Sequence, residues 1–300
     1  MNTRGMLIIL LGLGGAISPT QARPGFEFAL MGDTPYNRFE EQAFVGMLQN
    51  IDQLPMDFVI HLGDFKNSVS PCSDELYATR LHQFNQSRHP FIYIPGDNEW
   101  TDCASGSPPA SVEERLAKLR EIFFADTFSL GRHKISLRRQ QPDFPENIRW
   151  LHKNVLFVGL NIPGGNNNYH PDIENTEYRN RQIANSLWLK QAFSLATKKK
   201  VRGMVVLIHG NPRFKDRSTI RSGYQMFLKG LEKGMKKYQR PVLLAHGDTH
   251  LFRVDQPLTD ASGATIPHLT RIEVPGSPFT DWVRVRVEPG SATLFRVITE

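Results

Sequence analysis

Gly-Asp occurs four times in this 300-residue chain, at Gly32-Asp33, Gly63-Asp64, Gly96-Asp97 and Gly247-Asp248, where composition alone predicts about one occurrence. Each pair closes an apolar, strand-like run: "FEFALMGD", "MDFVIHLGD", "HPFIYIPGD" and "PVLLAHGD". Gly lets the backbone turn sharply, and Asp then projects a short carboxylate from the strand end. One such pair is an ordinary turn former. Four of them, joined by His209 in "IHG" and His250 in "DTH", are a set of metal-ligand types. Carboxylates gathered on one edge repel one another unless a cation lies between them. Two divalent ions sharing one bridging carboxylate resolve that repulsion.

The elements that must position these residues are those of an α/β protein. Asp33, Asp64 and Asp97 are 31 and 33 residues apart, the length of one βαβ repeat, so the first three strands are predicted to be parallel neighbours. Their carboxylates then fall on the C-terminal edge of the sheet, where α/β folds place ligands. Apolar residues at helical spacing predict helices over Asn37–Leu54, Asp74–Gln86 and Val112–Phe124. A long helix is expected over Glu177–Thr197, with Ile183, Leu187 and Trp188 inward. Another carries Ile220, Tyr224, Phe227, Leu231 and Met235 on one face. Ile148–Asn161 reads as a hairpin turning at Lys153-Asn154, and "PGGNNNYHP" (Pro163 to Pro171) as a polar loop, with pocket-lining amides in "GGNNN" (Gly164 to Asn168) as the functional alternative. The tail, from "HLTRIEVPG" onward, reads as antiparallel strands. No internal repeat or interdomain linker breaks the pattern, so a single α/β domain of two packed sheets flanked by helices is expected over residues 23–300.

Residues 1–22 have the features of a cleavable signal peptide: Arg4, an apolar run from Met6 to Ile17, and Thr20-Gln21-Ala22 as a small-x-small cleavage site. The expected destination is export, periplasmic or extracellular, with no stable membrane anchor after cleavage. Basic residues cluster in "GRHKISLRR", "KKKVR" and "KGLEKGMKKYQR" within a net charge of +6. Solvated helix faces account for most of these. Attraction of anionic ligands is the functional alternative. No aromatic residues interleave with the basic ones in a nucleic-acid-binding pattern and no nucleic-acid motif is present, so no nucleic-acid partner is expected. The two cysteines, Cys72 and Cys103, each lie a few residues beyond a Gly-Asp turn. In an exported protein such a pair forms one disulfide; a zinc site on two cysteines is the weaker alternative.

The order Asp, Gly-Asp, Gly-Asn-His-Asp/Glu, a strand-end His and Gly-His-x-His defines the calcineurin-like metallophosphoesterases, which include the purple acid phosphatases. From about Phe26 to Phe252 the chain resembles them in order and spacing, and "IANSLWLKQAF" is similar to the family's helix before the strand-end His. The resemblance implies a four-layer α/β/β/α sandwich with two mixed sheets and a two-metal site. Carried over by position, it puts Asp33 and His250 on the first ion and Asp64 between both. Asp97 (an Asn in the family), His209 and Asp248 (a His in the family) fall on the second. Pro35 in "GDTPY" stands where many members have a metal-binding His; Tyr36 beside it is expected to pack, with compensation for that His as the alternative. Asn98 in "GDNE" stands where the family has the His that assists the leaving group or contacts phosphate. Glu99 and Lys66, with Asn67 next to it, are then the nearest candidates for an acid or a substrate contact, though Glu99 and Lys66 read first as surface or supporting residues. Trp100 is expected to pack under its loop.

Two ligand positions have become carboxylates, which favours Mn, Mg, Fe or Ca over a site of Zn alone. The implied activity is hydrolysis of a small-molecule phosphoester, mono- or diester, by a metal-bound hydroxide at a dinuclear site. The alternative is a catalytically impaired binding or scaffold protein on the same fold. No feature of the sequence speaks to oligomeric state.

Overall fold

Phe28, Leu30, Phe58, Ile60, Ile92 and Ile94 alternate along the first strands and bury one face of a sheet against the matching face of a second. The computed structural model describes residues 25–216, 222–260, 262–291 and 293–298. The segment read as a signal peptide and Ile220 lie outside the described residues. The first sheet has the order β12-β11-β1-β2-β3 and the second β4-β5-β6-β7-β8-β10-β9. The strands of the first are β1 (Phe26–Met31), β2 (Phe58–His61), β3 (Phe91–Tyr93), β11 (Val283–Val287) and β12 (Phe295–Ile298). Those of the second are β4 (Arg138–Gln140), β5 (Phe144–His152), β6 (Val155–Gly159), β7 (Gly203–Leu207), β8 (Val242–His246), β9 (Arg253–Asp255) and β10 (Leu269–Glu273).

Helices α1 (Arg38–Asp52), α2 (Asp74–Gln86) and α3 (Val112–Phe123) cover the outer face of the first sheet through Phe44, Ile51, Tyr77, Phe84 and Leu119. Helices α4 (Thr176–Lys199) and α5 (Gln225–Tyr238) cover the second through Trp188, Phe193, Leu231 and Met235. The result is the α/β/β/α sandwich, with both sheets mixed. No described helix is long and apolar enough to cross a membrane.

Local chemistry sets the helix starts. Asn37, Ser73 and Ser111 each accept hydrogen bonds from first-turn N–H groups of α1, α2 and α3, a cap worth about 1 kcal/mol each. Glu40 returns from α1 to the Tyr36 N–H at 2.8 Å and to the Asn37 side chain at 2.6 Å. This reciprocal box pins the loop after Asp33 to the helix that follows it.

Strands β1, β2 and β3 are parallel, as their spacing predicts. Two expectations need correction. The strand in "HLTRIEVPG" runs parallel to β8; only β9, β11 and β12 give the tail its antiparallel pairs, with β11 returning to flank β1. On α4, Ile183 and Leu187 are 64% and 49% exposed. The buried face instead includes Arg181, Gln182 and Asn185 alongside Trp188, because this helix packs on a polar turn rather than on apolar sheet at its N-terminal half.

One charge cluster sits at the sheet's opposite end. Glu27 on β1 is bonded by Arg284 at 2.6 Å and Arg286 at 2.5 Å from β11. Burial raises the pKa of this carboxyl, but the two arginines outweigh it and hold it below the ordinary 4.5. The contribution of Glu27 to stability is therefore complete above that value and is lost as pH falls through the lower, folded-state pKa. Urea midpoints measured from about pH 6 down to about pH 3 should fall more steeply for the native chain than for Glu27→Gln. Equal slopes would contradict the assignment.

Candidate metal centre

The strand ends converge. Asp33, Asp64 and Asp97 follow β1, β2 and β3 of one sheet; His209, Asp248 and His250 follow β7 and β8 of the other. Asp33, Asp64 and His209 bring ligand atoms within 4.8 Å of one another, and so do Asp97, His209 and Asp248. His250 Nε2 lies 3.6 Å from Asp33 Oδ1. All six residues singled out as ligands thus stand in one place, at the seam between the sheets.

The imidazoles are aimed by their far nitrogens. His209 Nδ1 is 2.6 Å from the Leu62 carbonyl, and His250 Nδ1 is 2.7 Å from that of Ser277. Each ring donates there, which leaves Nε2 turned into the centre, the usual arrangement for a metal-ligating His. His209 Nε2 is sealed from solvent, 3.0 Å from Asp97 Oδ1 and 3.4 Å from Asp64 Oδ2, and is squarely hydrogen-bonded to neither. A buried nitrogen set among carboxylates without a well-aligned bond is costly unless its lone pair is taken, by a proton in the ion-free protein or by a metal ion.

The backbone carries an unexpected share of the geometry. The sequence places the sharp turns on the glycines, yet Asp33, Asp64, Asp248 and His250 themselves adopt positive φ, at 54, 57, 81 and 61°. Asp and His tolerate this left-handed region better than most residues, but four together mark a functional constraint. Of the motif glycines only Gly63 is itself left-handed, at φ 95°; Gly96 and Gly247 make room. A Cβ on Gly96 would fall 2.0 Å from Asp64 Oδ1, and one on Gly247 would fall 2.2 Å from Asp33 Oδ2. Gly164, in the "GGNNN" turn, would put a Cβ 2.4 Å from Asp248 Oδ1 and 2.5 Å from Asp97 Oδ1, and its N–H donates to Asp97 at 2.9 Å. The polar loop is thus part of the centre. Residues 165–168 run through four successive left-handed conformations, braced by buried Arg181 against the Asn167 carbonyl.

Electrostatics follow from the crowding. Burial, then the neighbouring Asp64 and Asp248, push Asp33 well above the carboxylate range. Burial and Asp97 push Asp64 and Asp248 up, with His209 opposing in each case. Burial also works against the charge on His209, but Asp64, Asp97 and Asp33 prevail and raise it well above its ordinary value. For Asp97 burial is outweighed by His209 and by the Gly164 N–H, and its pKa falls. Without an ion, His209 is the cation set among these four acidic side chains. Added positive charge would relieve the imbalance, and the O-rich donor set suits hard divalent ions.

Several expected roles are corrected. Glu99 is no free acid: it is fully buried and accepts from the Asp64 N–H at 3.0 Å, the Gly96 N–H at 2.8 Å and the Tyr93 hydroxyl at 2.5 Å. It braces two ligand loops from beneath. Lys66 is buried too, its ammonium spent on the Asn67 and Asn98 carbonyls at 2.7 and 2.6 Å. Asn67 donates to the Tyr36 carbonyl and caps Val69 and Ser70 N–H groups, so it faces its own loop and not a substrate. Asn98 does reach the centre: its N–H caps Asp64 Oδ1 at 3.0 Å and its amide donates to Lys66 O and to the Tyr36 hydroxyl.

Tyr36, expected to pack, instead points its hydroxyl into the cluster, 3.2 Å from both Asp64 Oδ2 and His250 Nε2. The Asn37–Glu40 capping pair was the sequence signal that this loop is rigid enough to aim it. Without an ion, burial and then Asp64 push its pKa far up. His61 and His246 are structural, both pushed down to about 3 by burial. His152 is bonded to Asp57. Trp100 is fully buried beneath the loop, with Arg181 over its ring. Cys72 and Cys103 are joined, Cα to Cα 5.9 Å, and tie the loop after Asp64 to the one after Asp97.

This architecture, with its ligand-type side chains on the facing sheet edges, is the metallophosphoesterase-like fold. Among solved structures of that shape, the chain is similar to GAP50, the anchor in the inner membrane complex of Plasmodium (12% identity, 91% of this chain and 88% of that one, TM-score 0.53). It is also similar to a dimetal phosphatase from Danio rerio (13% identity, 87% and 92%, TM-score 0.51). The third is the purple acid phosphatase PPD1 of yellow lupin, of which the chain spans about half (10% identity, 91% and 53%, TM-score 0.50). No family model and no curated protein matches the sequence. At these identities the likeness establishes the fold.

Proposed function

We propose that the chain is a metal-dependent phosphoester hydrolase with a dinuclear site. The observation that carries this reading is the unbonded, solvent-sealed Nε2 of His209 amid Asp33, Asp64, Asp97 and Asp248. His209 is common to both ligand groups, but a single imidazole nitrogen serves one ion. Asp64, whose Oδ1 is held by the Asn98 N–H and whose Oδ2 is turned inward, is the residue suited to bridge. Asp33 and His250 then complete one position, and Asp97, His209 and Asp248 the other. Divalent ions held by these residues would supply Lewis-acid stabilisation of phosphoryl oxygens and activation of water.

The chain's own side chains do the positioning. Tyr36 holds Asp64 and His250, while Asn98 holds Tyr36 and, through its N–H, Asp64. None of the candidates named for the purpose stands ready to protonate a leaving group, since Asn98 cannot and Glu99 and Lys66 are committed elsewhere. General-acid help is typically worth roughly 10²–10⁴-fold. Esters of acidic phenols should therefore be turned over faster than alkyl esters by about that factor, beyond the difference a general-acid enzyme shows.

A second reading has a specific observation behind it. That none of these candidates is a free proton donor also fits a binding or scaffold protein, and GAP50, of comparable likeness, is described as an anchor. The two readings separate in one experiment. Purified protein is analysed for bound metal, stripped with chelator, reloaded with Mn, Mg, Fe, Ca or Zn ions in turn, and assayed on aryl phosphate and bis-aryl phosphate. Hydrolysis restored by at least one ion supports the enzyme. Tight metal binding with no turnover across the panel supports the scaffold. The Cys72–Cys103 disulfide fits an oxidising compartment, in keeping with export.

A further inference from the structure

At the far edge of the second sheet, β4, β5 and α4 enclose a groove of about 390 Å³ whose walls include Arg138, Arg139, Arg149, Gln140, Trp188 and Gln191. No carboxylate lines it. Arg138 and Arg149 are register partners across the β4–β5 ladder. Like charges placed directly opposite destabilise a ladder, so this pairing needs a reason outside the fold. Neither has an acidic partner among the described residues. Arg138 is exposed. Arg149 lies over the Trp188 ring, its guanidinium carbon 4.0 Å from the ring centre, with one long contact of 3.5 Å to Gln191 Oε1. The remaining arginine is already committed, since Arg139 donates to the carbonyls of Asp126, Pro145 and Phe128. Leu187, exposed where it was expected to be buried, lies along the same groove.

We propose that this groove is a second, metal-independent binding site for a phosphate group, held between Arg138 and Arg149. Two opposed guanidinium forks match the charge and oxygen geometry of a phosphate dianion. The stacked, half-buried Arg149 is fixed in place for that contact rather than waving in solvent. Burial and the neighbouring Arg138 also hold the Arg149 pKa below its ordinary value, as expected of a cation lacking a counter-charge. The assignment is independent of hydrolysis, because none of these residues belongs to the metal cluster. It also gives a role to part of the basic stretch that ends at Arg139.

The phosphate could be free or the headgroup of a lipid, and the test has an arm for each. Chelator-stripped full-length protein is titrated with inorganic phosphate by calorimetry. Separately, it is sedimented with phosphatidylcholine vesicles with and without phosphatidic acid. Arg138→Gln, Arg149→Gln and, as control, Asp64→Asn are compared, with circular dichroism confirming that each is folded. Saturable phosphate binding that weakens by about tenfold or more in either arginine variant, the loss of one charge-assisted contact, supports a free-phosphate ligand. Binding only to phosphatidic acid vesicles, with the same loss, supports a lipid headgroup. In both cases Asp64→Asn should leave binding unchanged. If neither probe binds, or if binding is indifferent to both arginine substitutions, the proposal is overturned.

Discussion

Asp64→Asn is expected to leave the fold standing, empty the metal centre, and lower phosphoester hydrolysis by roughly 10³-fold or more, the scale of several kcal/mol of lost transition-state stabilisation. The asparagine carbonyl can still accept the Asn98 N–H at the place of Oδ1, 3.0 Å away. At the place of Oδ2 an NH₂ group would face Tyr36 and the buried His209 nitrogen. No lone pair would remain there for an ion, and the carboxylate best placed to bridge would be gone. The same substitution removes one of four mutually repelling acids. The metal-free variant should therefore melt no lower than the metal-free native protein, while losing the stabilisation that added metal confers on the latter. Metal analysis, initial rates and melting curves with and without chelator read the three effects separately. Retained metal and retained turnover would sink the assignment of Asp64, and with it the proposed centre.

Glu99→Ala should be the most destabilising single change at the site. It would strip a buried acceptor from the Asp64 N–H, the Gly96 N–H and the Tyr93 hydroxyl. Each orphaned donor costs about 1–3 kcal/mol, so a combined loss of several kcal/mol is expected, with a fall in melting temperature on the order of 10 °C. Burial and the charge of Asp64 push Glu99 up to about 8, a value that by itself invites a general-acid reading. The geometry argues otherwise, and kinetics can separate the two. A brace that fails should lose stability and metal affinity together, with partial rescue of activity at high metal concentration. A missing acid would leave stability and metal content intact and abolish turnover alone. The second pattern would overturn the bracing role of Glu99 and restore it as an acid.

Much of the first sheet and its ligands was legible because it is written in local terms. A strand of alternating apolar residues ending in Gly-Asp, repeated at βαβ spacing, specifies both the parallel sheet and the edge on which Asp33, Asp64 and Asp97 stand. Asn37, Ser73 and Ser111 mark the helix starts in the same local way. What escaped depends on partners far away in sequence. The inward face of α4 is partly polar because Arg181 and Asn185 serve the Gly164–Asn168 turn and Asn161. Apolar periodicity therefore pointed to Ile183 and Leu187, which face out. The parallel course of β10 is set by β8, more than twenty residues earlier, and alternation alone does not carry strand direction. An acid two residues after a ligand reads as a supporting residue or as a candidate acid, and the sequence leaves both open. Only the fold shows that three donors surround it from below.

The fit between glycine and carboxylate has a consequence for how such a centre can be changed. Gly96 houses the side chain of Asp64, Gly247 that of Asp33, and Gly164 those of Asp97 and Asp248. Each loop is cut to the shape of a ligand borne by a different loop. A methyl group added at one motif would dislodge an oxygen belonging to another, so damage should surface away from where it was made. The loops are keyed to one another as a set. Transplanting any one of them into a foreign scaffold would carry the ligand without its seat, and rebuilding the centre elsewhere would require moving interlocked pairs.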